Sequence, residues 1–296
     1  MKKALVTLTV GDRYIRNYKE YSHDLWVEYA KNNNLDLVVI ENLIDSSQRA
    51  QSRSPAWQKC LILSHEDVKK YDQVAWIDSD ILINPTSPNV FENVPIEMIG
   101  AVDAYATPNR EDMRISSERL SEFWSNNGVD FVNDTTATGY HKSFGLDGNF
   151  QSIVQTGVLV LSPKYHNSLL EHVYNNYEDK SGGHWNYEMR PLSYEILMNN
   201  MAHWLNPKYN MPWPYIKQFI YPFLMNTSDL NNTSDNYIHK SINKVLRKSG
   251  LIPKSSSSLE TKCATTAFLN NYFLHFAGCA DEMKYVNQDI TSIFEI

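Results

Sequence analysis

Two carboxylates, Asp78 and Asp80, flank Ser79 inside the segment VAWIDSDILI. Apolar residues bracket them, so the pair belongs to a buried strand rather than to a polar loop. Two unpaired carboxylates there would repel each other and lose hydration. A divalent cation relieves both costs, and hard oxygen ligands favour Mg2+ or Mn2+. An imidazole in the set shifts the preference to Mn2+. The bland alternative is a solvated turn or a helix N-cap, with Ser79 and Asp80 satisfying backbone donors. His275, in LHFAG, is either that imidazole or a core histidine bonded to backbone. Gly278, just after it, lets backbone approach a ligand closely.

The elements that must position these groups follow from periodicity. Apolar, β-branched runs at 4–10, 35–40, 73–77 and 97–103 alternate with helical spacing over 14–32 and 55–70. This rhythm predicts an α/β fold with a mostly parallel, Rossmann-like central sheet and flanking helices. Such sheets bind ligands outside the carboxyl ends of their strands. Asp78, Asp80 and Asp103 all fall at those ends. A further strand is expected at 152–163, then helices to about 177 and over 188–200. The polar stretch 104–150 reads as a lid or binding loop. Residues 203–214 read as a wall built on turns, and SSSS at 255–258 as a flexible point. Trp185, Tyr187, Trp204, Tyr209, Trp213 and Tyr215 make an aromatic-dense region that either stacks on sugar rings or fills core.

Composition bounds the class. With 296 residues, 42% hydrophobic and 21% charged, the chain is an ordinary globular protein with room for a sizeable core. A net charge of -7 argues against nucleic acid as a partner. Cys60, Cys263 and Cys279 show no CxxC spacing, which suggests a reducing compartment. The first strand starts at Ala4 with no signal-peptide pattern before it, and no apolar run reaches the ~18 residues of a membrane span. A cytoplasmic protein is expected, with the sequons at Asn133, Asn226 and Asn232 unused. Residues 239–254 are basic and weakly amphipathic. They read as a solvated helix or as a peripheral contact with anionic lipid on the cytoplasmic face of a membrane.

Taken in order, WIDSDILI, QTGVLVLSP, LNPKYN and HFAG resemble the GT-A fold, nucleotide-sugar-dependent glycosyltransferases. The likeness is nearest the retaining, galactosyltransferase-like group, family 8 and its relatives, and spans roughly residues 4–280. It implies a single large domain with a C-terminal extension. Residues 1–225 would form the core, 226–262 a polar, basic insertion, and 263–296 a segment returning to the site. It implies Mn2+ (or Mg2+) held by Asp78, Asp80 and His275. The donor, a UDP-sugar by resemblance, would meet Thr7, Thr9, Val10 and Gly11 on the first strand and its turn. Arg53 and Lys59 are candidates for a basic residue near the donor. Ile77, Ser79 and Gly278 complete that set. Asp103, Gln155 and Glu195 are the candidate catalytic residues facing the sugar. The acceptor would be a hydroxyl of a glycan, a glycolipid or another glycoconjugate, with anomeric retention.

The chain departs from the family in three places. Gln155-Thr156-Gly157 stands where the family has Asn-x-Gly. Glu195 stands roughly where the family has an Asp-Gln pair. In the HxxGxxKPW tail, His275 and Gly278 are kept, but Asp281 takes the lysine position, leaving Lys284 as a substitute cation. Two other readings stay open: a nucleotidyltransferase, and a lapsed transferase that only binds sugar or nucleotide sugar.

Overall fold

Between Val74 and Ile77 every residue is apolar and every residue is buried, because the strand Gln73–Ile77 (β3) lies mid-sheet with both faces covered. Ala75 and Ile77 enter one core, with Leu5, Trp26, Val158, Val160 and Phe273. Val74 and Trp76 enter the other, with Val6, Trp57, Leu159, Leu170 and Leu192. The two-residue alternation of a strand feeds both.

The computed structural model describes residues 1–126, 136–178, 187–225 and 255–287. Around β3 stand β1 (Lys3–Leu8), β2 (Asp36–Ile40), β5 (Ile99–Asp103), β6 (Val154–Leu161) and β7 (Ala202–Trp204). They form a six-stranded sheet in the order β2-β1-β3-β6-β5-β7. β1 pairs parallel with β2 and β3, and β5 with β7, while β6 runs antiparallel to both neighbours. The anticipated α/β fold with a mostly parallel sheet and flanking helices is present.

Several elements differ from the sequence reading. VAWIDSDILI is two strands, not one. After β3 the chain turns at Asp78, and Ile81–Ile83 (β4) joins a second sheet with Phe273–His275 (β9) and Met211–Pro212 (β8). Both strands are fully buried, so hydrophobicity alone does not betray the corner between them. Residues 104–150 are not a loop. They hold helices Arg110–Asn126 (α4) and Ala137–Lys142 (α5), and α4 packs on helix Trp213–Phe219 (α8). Helix Ser255–Asn270 begins within the serine run and crosses the expected boundary at 262. The expected helix at 55–70 is a 3-10 helix, Pro55–Ser64, opened by a proline and by Ser54 capping Ala56. The basic stretch 239–254, the three sequons and Trp185 lie outside the described residues. No helix among the described residues is long and apolar enough to cross a membrane.

Candidate metal and ligand site

Asp78 extends the ladder of β3 by one bond: its N–H donates to the Gly157 carbonyl at 2.8 Å. The Ile81 N–H then donates to the Asp78 carbonyl at 3.2 Å and closes the corner. Trp26, on helix His23–Asn32, donates its indole N–H to the Ile81 carbonyl at 3.0 Å and holds β4 in place. β4 and β9 pair antiparallel with Ile81 opposite His275, and the Phe276 N–H donates to the Asp80 carbonyl at 2.9 Å. This short ladder carries His275 to the carboxylates across almost the whole chain. Its Nε2 lies 3.3 Å from Asp80 Oδ1 and 4.0 Å from Asp78 Oδ2. One ligand atom from each of the three falls within 4.8 Å of the others.

Burial disfavours charge on both Asp80 and His275, yet their mutual attraction outweighs it. The Asp80 carboxyl is held below the usual carboxylate range by His275, and the imidazole is held above its usual value by Asp80.

A second cluster adjoins the first. The Trp76 indole N–H donates to Asp78 Oδ1 at 2.8 Å. The Lys59 ammonium, only 2% exposed, lies 3.1 Å from the same oxygen and 2.7 Å from Glu188 Oε1. It also donates to the Thr156 carbonyl at 2.9 Å, and the Thr156 hydroxyl donates to Glu188 Oε1 at 3.0 Å. Burial alone would lower the Lys59 pKa, but Asp78 and Glu188 raise it well above the lysine norm. Glu188 Oε2 and Gln155 Oε1 are buried and have no protein partner, as are the Thr7 and Thr9 hydroxyls.

Backbone irregularity makes this meeting possible. Along β5–β6 the pairing jumps from Ala101↔Leu159 to Val102↔Gln155, a bulge spanning Thr156–Val158. The bulge turns Thr156 toward Lys59 and leaves Gly157 against His275.

The structure thus gathers Asp78, Asp80, His275 and Lys59. Ser79 lies between the carboxylates, Ile77 is buried beneath them, and Gln155 stands two residues from Gly157 on β6. Thr7 is on β1 and Thr9 follows it, both fully buried; Val10 is half-buried, and Gly11 and Gly278 have φ of 89° and 73°. Asp103 ends β5 at the same sheet edge. Its Oδ1 accepts the Tyr105 and Ile153 N–H groups at 2.9 and 3.1 Å, and its Oδ2 lies 3.7 Å from Arg110.

Two residues are engaged elsewhere. Arg53 donates to the Tyr174 and Tyr177 carbonyls at the end of helix Pro163–Asn176 (α6), and pairs with Glu178 at 2.9 Å. Glu195, on helix Met189–Met198 (α7), accepts from the Tyr177 hydroxyl and lies 3.6 Å from His172. Both face α6, and the packing of that helix was not visible in their local sequence. Asp281 pairs with Arg13 and Asn17 instead. Among the aromatics, Trp213 and Tyr209 are core, while Trp204 is 42% exposed.

Sequence reasoning missed Glu188 and Asn210. Glu188 immediately precedes α7, whose first turn Pro191 marks, so a carboxylate at a helix start was the available signal. Asn210 closes LNPKYN, and its Oδ1 lies 2.8 Å from His275 Nδ1.

No protein-family model matches this chain, and no curated protein does. Solved structures do. A glycosyltransferase involved in glycosylation of the major capsid of PBCV-1 aligns with a TM-score of 0.50 and 12% identity, over 97% of this chain and all of that one. The bifunctional glycosyltransferase WbbM aligns with a TM-score of 0.49 and 13% identity, over 99% of this chain and half of that one. An active-site mutant of LgtC aligns with a TM-score of 0.40 and 11% identity, over 93% and 87%. At 12% identity the likeness to the first is one of fold: the α/β architecture is a GT-A-like glycosyltransferase fold.

Proposed function

We propose that this chain is a metal-dependent glycosyltransferase that moves a hexose from a nucleotide-diphosphate sugar, a UDP-sugar, to a glycan or glycoconjugate hydroxyl with retention. One observation carries the reading: Asp78, Asp80 and His275 converge from two sheets at the carboxyl edge of the central one. Two hard oxygens and one imidazole suit Mn2+, with Mg2+ as the alternative. When bound, the ion supplies positive charge beside the departing diphosphate.

The remaining roles belong to the chain itself. Residues 1–225 would form the transferase core, and 263–296 would return the imidazole. Lys59 pairs with one oxygen of Asp78 and one of Glu188, which leaves the second oxygen of each carboxylate to act. The unpartnered Glu188 Oε2 and Gln155 Oε1 would accept hydrogen bonds from sugar hydroxyls, and Thr7 and Thr9 would meet the nucleoside. Glu188, rather than Glu195, is then the acid facing the sugar. Asp103 shapes the same edge by ordering residues 103–106 and 153. Retention and the choice of UDP rest on the family resemblance.

The test is nucleotide release from a panel of UDP-sugars, with and without Mn2+, for the wild type and Asp80→Ala. Metal-dependent turnover that the variant loses supports the reading. Binding without turnover would make the chain a lapsed transferase, and an inverted anomeric signal in the product NMR would remove the claim of retention.

A further inference from the structure

We infer that Asn210 is a positioning residue for His275, seated against the bare backbone of Gly157, and that together they aim Nε2 of the imidazole at the two carboxylates. The inference rests on reading Asp78, Asp80 and His275 as the metal ligands.

Asn210 is fully buried and ends the 3-10 turn Pro207–Asn210. It leads into β8, which pairs parallel with β9 so that Pro212 stands opposite His275. This puts the Asn210 side chain beside the ring, with its Oδ1 2.8 Å from Nδ1. A carboxamide oxygen only accepts, so Nδ1 must carry the proton. In the neutral ring that a metal requires, the lone pair is then on Nε2, the atom that faces Asp80 and Asp78. Fixing a ligating imidazole through the N–H of its other nitrogen is a general way to set both tautomer and ring plane.

Gly157 closes the other side. A Cβ built there would stand 2.6 Å from His275 Cε1, 2.8 Å from its Nδ1 and 3.0 Å from Asn210 Nδ2. The ring and the amide therefore lie edge-on against backbone that no other residue type could provide without displacing them. The Gly157 carbonyl already accepts the Asp78 N–H, so it is bound to the first ligand as well. One bulge in β6 thus contacts Asp78 through its backbone and His275 through the hydrogen in place of its side chain.

A purely structural buried amide would use both of its ends. Here Nδ2 has no partner, and only the end that meets the ring is satisfied. That asymmetry favours a role exerted through His275.

The experiment compares Mn2+ binding by electron paramagnetic resonance of the free ion in the wild type, Asn210→Ala, Asn210→Asp and Asp80→Ala. Asn210→Ala should weaken binding about ten- to a hundredfold, with Asn210→Asp, which keeps the acceptor, restoring most of it. In zinc-loaded wild type labelled with 15N-histidine, His275 should show a slowly exchanging Nδ1–H that Asn210→Ala broadens away. That spectrum decides even if a variant fails to fold. Wild-type affinity in Asn210→Ala, or zinc coordinated through Nδ1, would overturn the inference and leave the metal site standing. No Mn2+ binding by the wild type, or equal binding by Asp80→Ala, would remove the metal-site reading and the inference with it.

Discussion

Lys59 is the residue on which the charge balance of the site turns. It is enclosed with two carboxylates, Asp78 and Glu188, and removing one partner of a buried ion pair typically costs about 3–5 kcal/mol. Lys59→Met should therefore lower the urea-unfolding free energy by about that much, and adding Glu188→Gln should recover part of it; additive losses would show that the groups are not coupled. Asp80 and His275 set the pH response, the first in the acid range and the second near neutrality. Asp80 has a lowered pKa in the folded state, so its contribution is present above its unfolded value of 3.8 and fades as pH falls below it. His275 has a raised one, so its contribution is full below 6.5 and is lost as pH rises through the folded value. Metal binding requires the neutral ring. Mn2+ affinity should thus climb as pH rises above 6.5, the ordinary value that His275 exceeds. Binding isotherms from mildly acidic to mildly alkaline pH check this, and a flat profile would contradict it.

At the scale of elements, the helix end at α6 explains why Arg53 is not at the donor. Its guanidinium satisfies carbonyls that a helix C-terminus leaves without partners, and it stacks over Trp57 with its carbon 4.5 Å from the ring centroid. Arg53→Met should cost about 1–3 kcal/mol in thermal or urea unfolding while leaving the donor KM unchanged; a raised KM with unaltered stability would return Arg53 to the donor site. The same helix captures Glu195. Local sequence showed that these residues were charged and helical or near a helix, but not which neighbour their face would meet. Asp78 and Asp80 were legible because strands of an α/β sheet present their carboxyl ends to ligands, so a position along one strand was enough. Glu188 and Asn210 were not, since each joins the site through a contact with a distant element. The corner at Asp78 escaped detection because β3 and β4 are equally buried, and the bulge at Gly157 because β6 is buried along its whole length on both sides of it, so no change of pattern marks the shift in register.

For the whole molecule, the question is what brings residue 275 back to residue 80. The Arg13–Asp281 pair spans the two ends of the chain, yet both side chains are more than half exposed, and such pairs contribute about 0–1 kcal/mol. Phe273, Leu274 and Phe276 are fully buried, and each contributes about 1.5–3 kcal/mol. Apolar burial of β9 therefore dominates the return, and the site should form and unfold together with the main core that these side chains share with Leu5, Ile77 and Val158. Saturation with Mn2+ at a hundred times its Kd should then stabilise the entire fold by about 2.7 kcal/mol, seen as one shifted transition in both far-UV dichroism and tryptophan fluorescence. His275→Ala should lose most of that shift. If instead the two probes separate on adding metal, the C-terminal segment docks as an independent unit, and the ion stabilises a local closure rather than the fold.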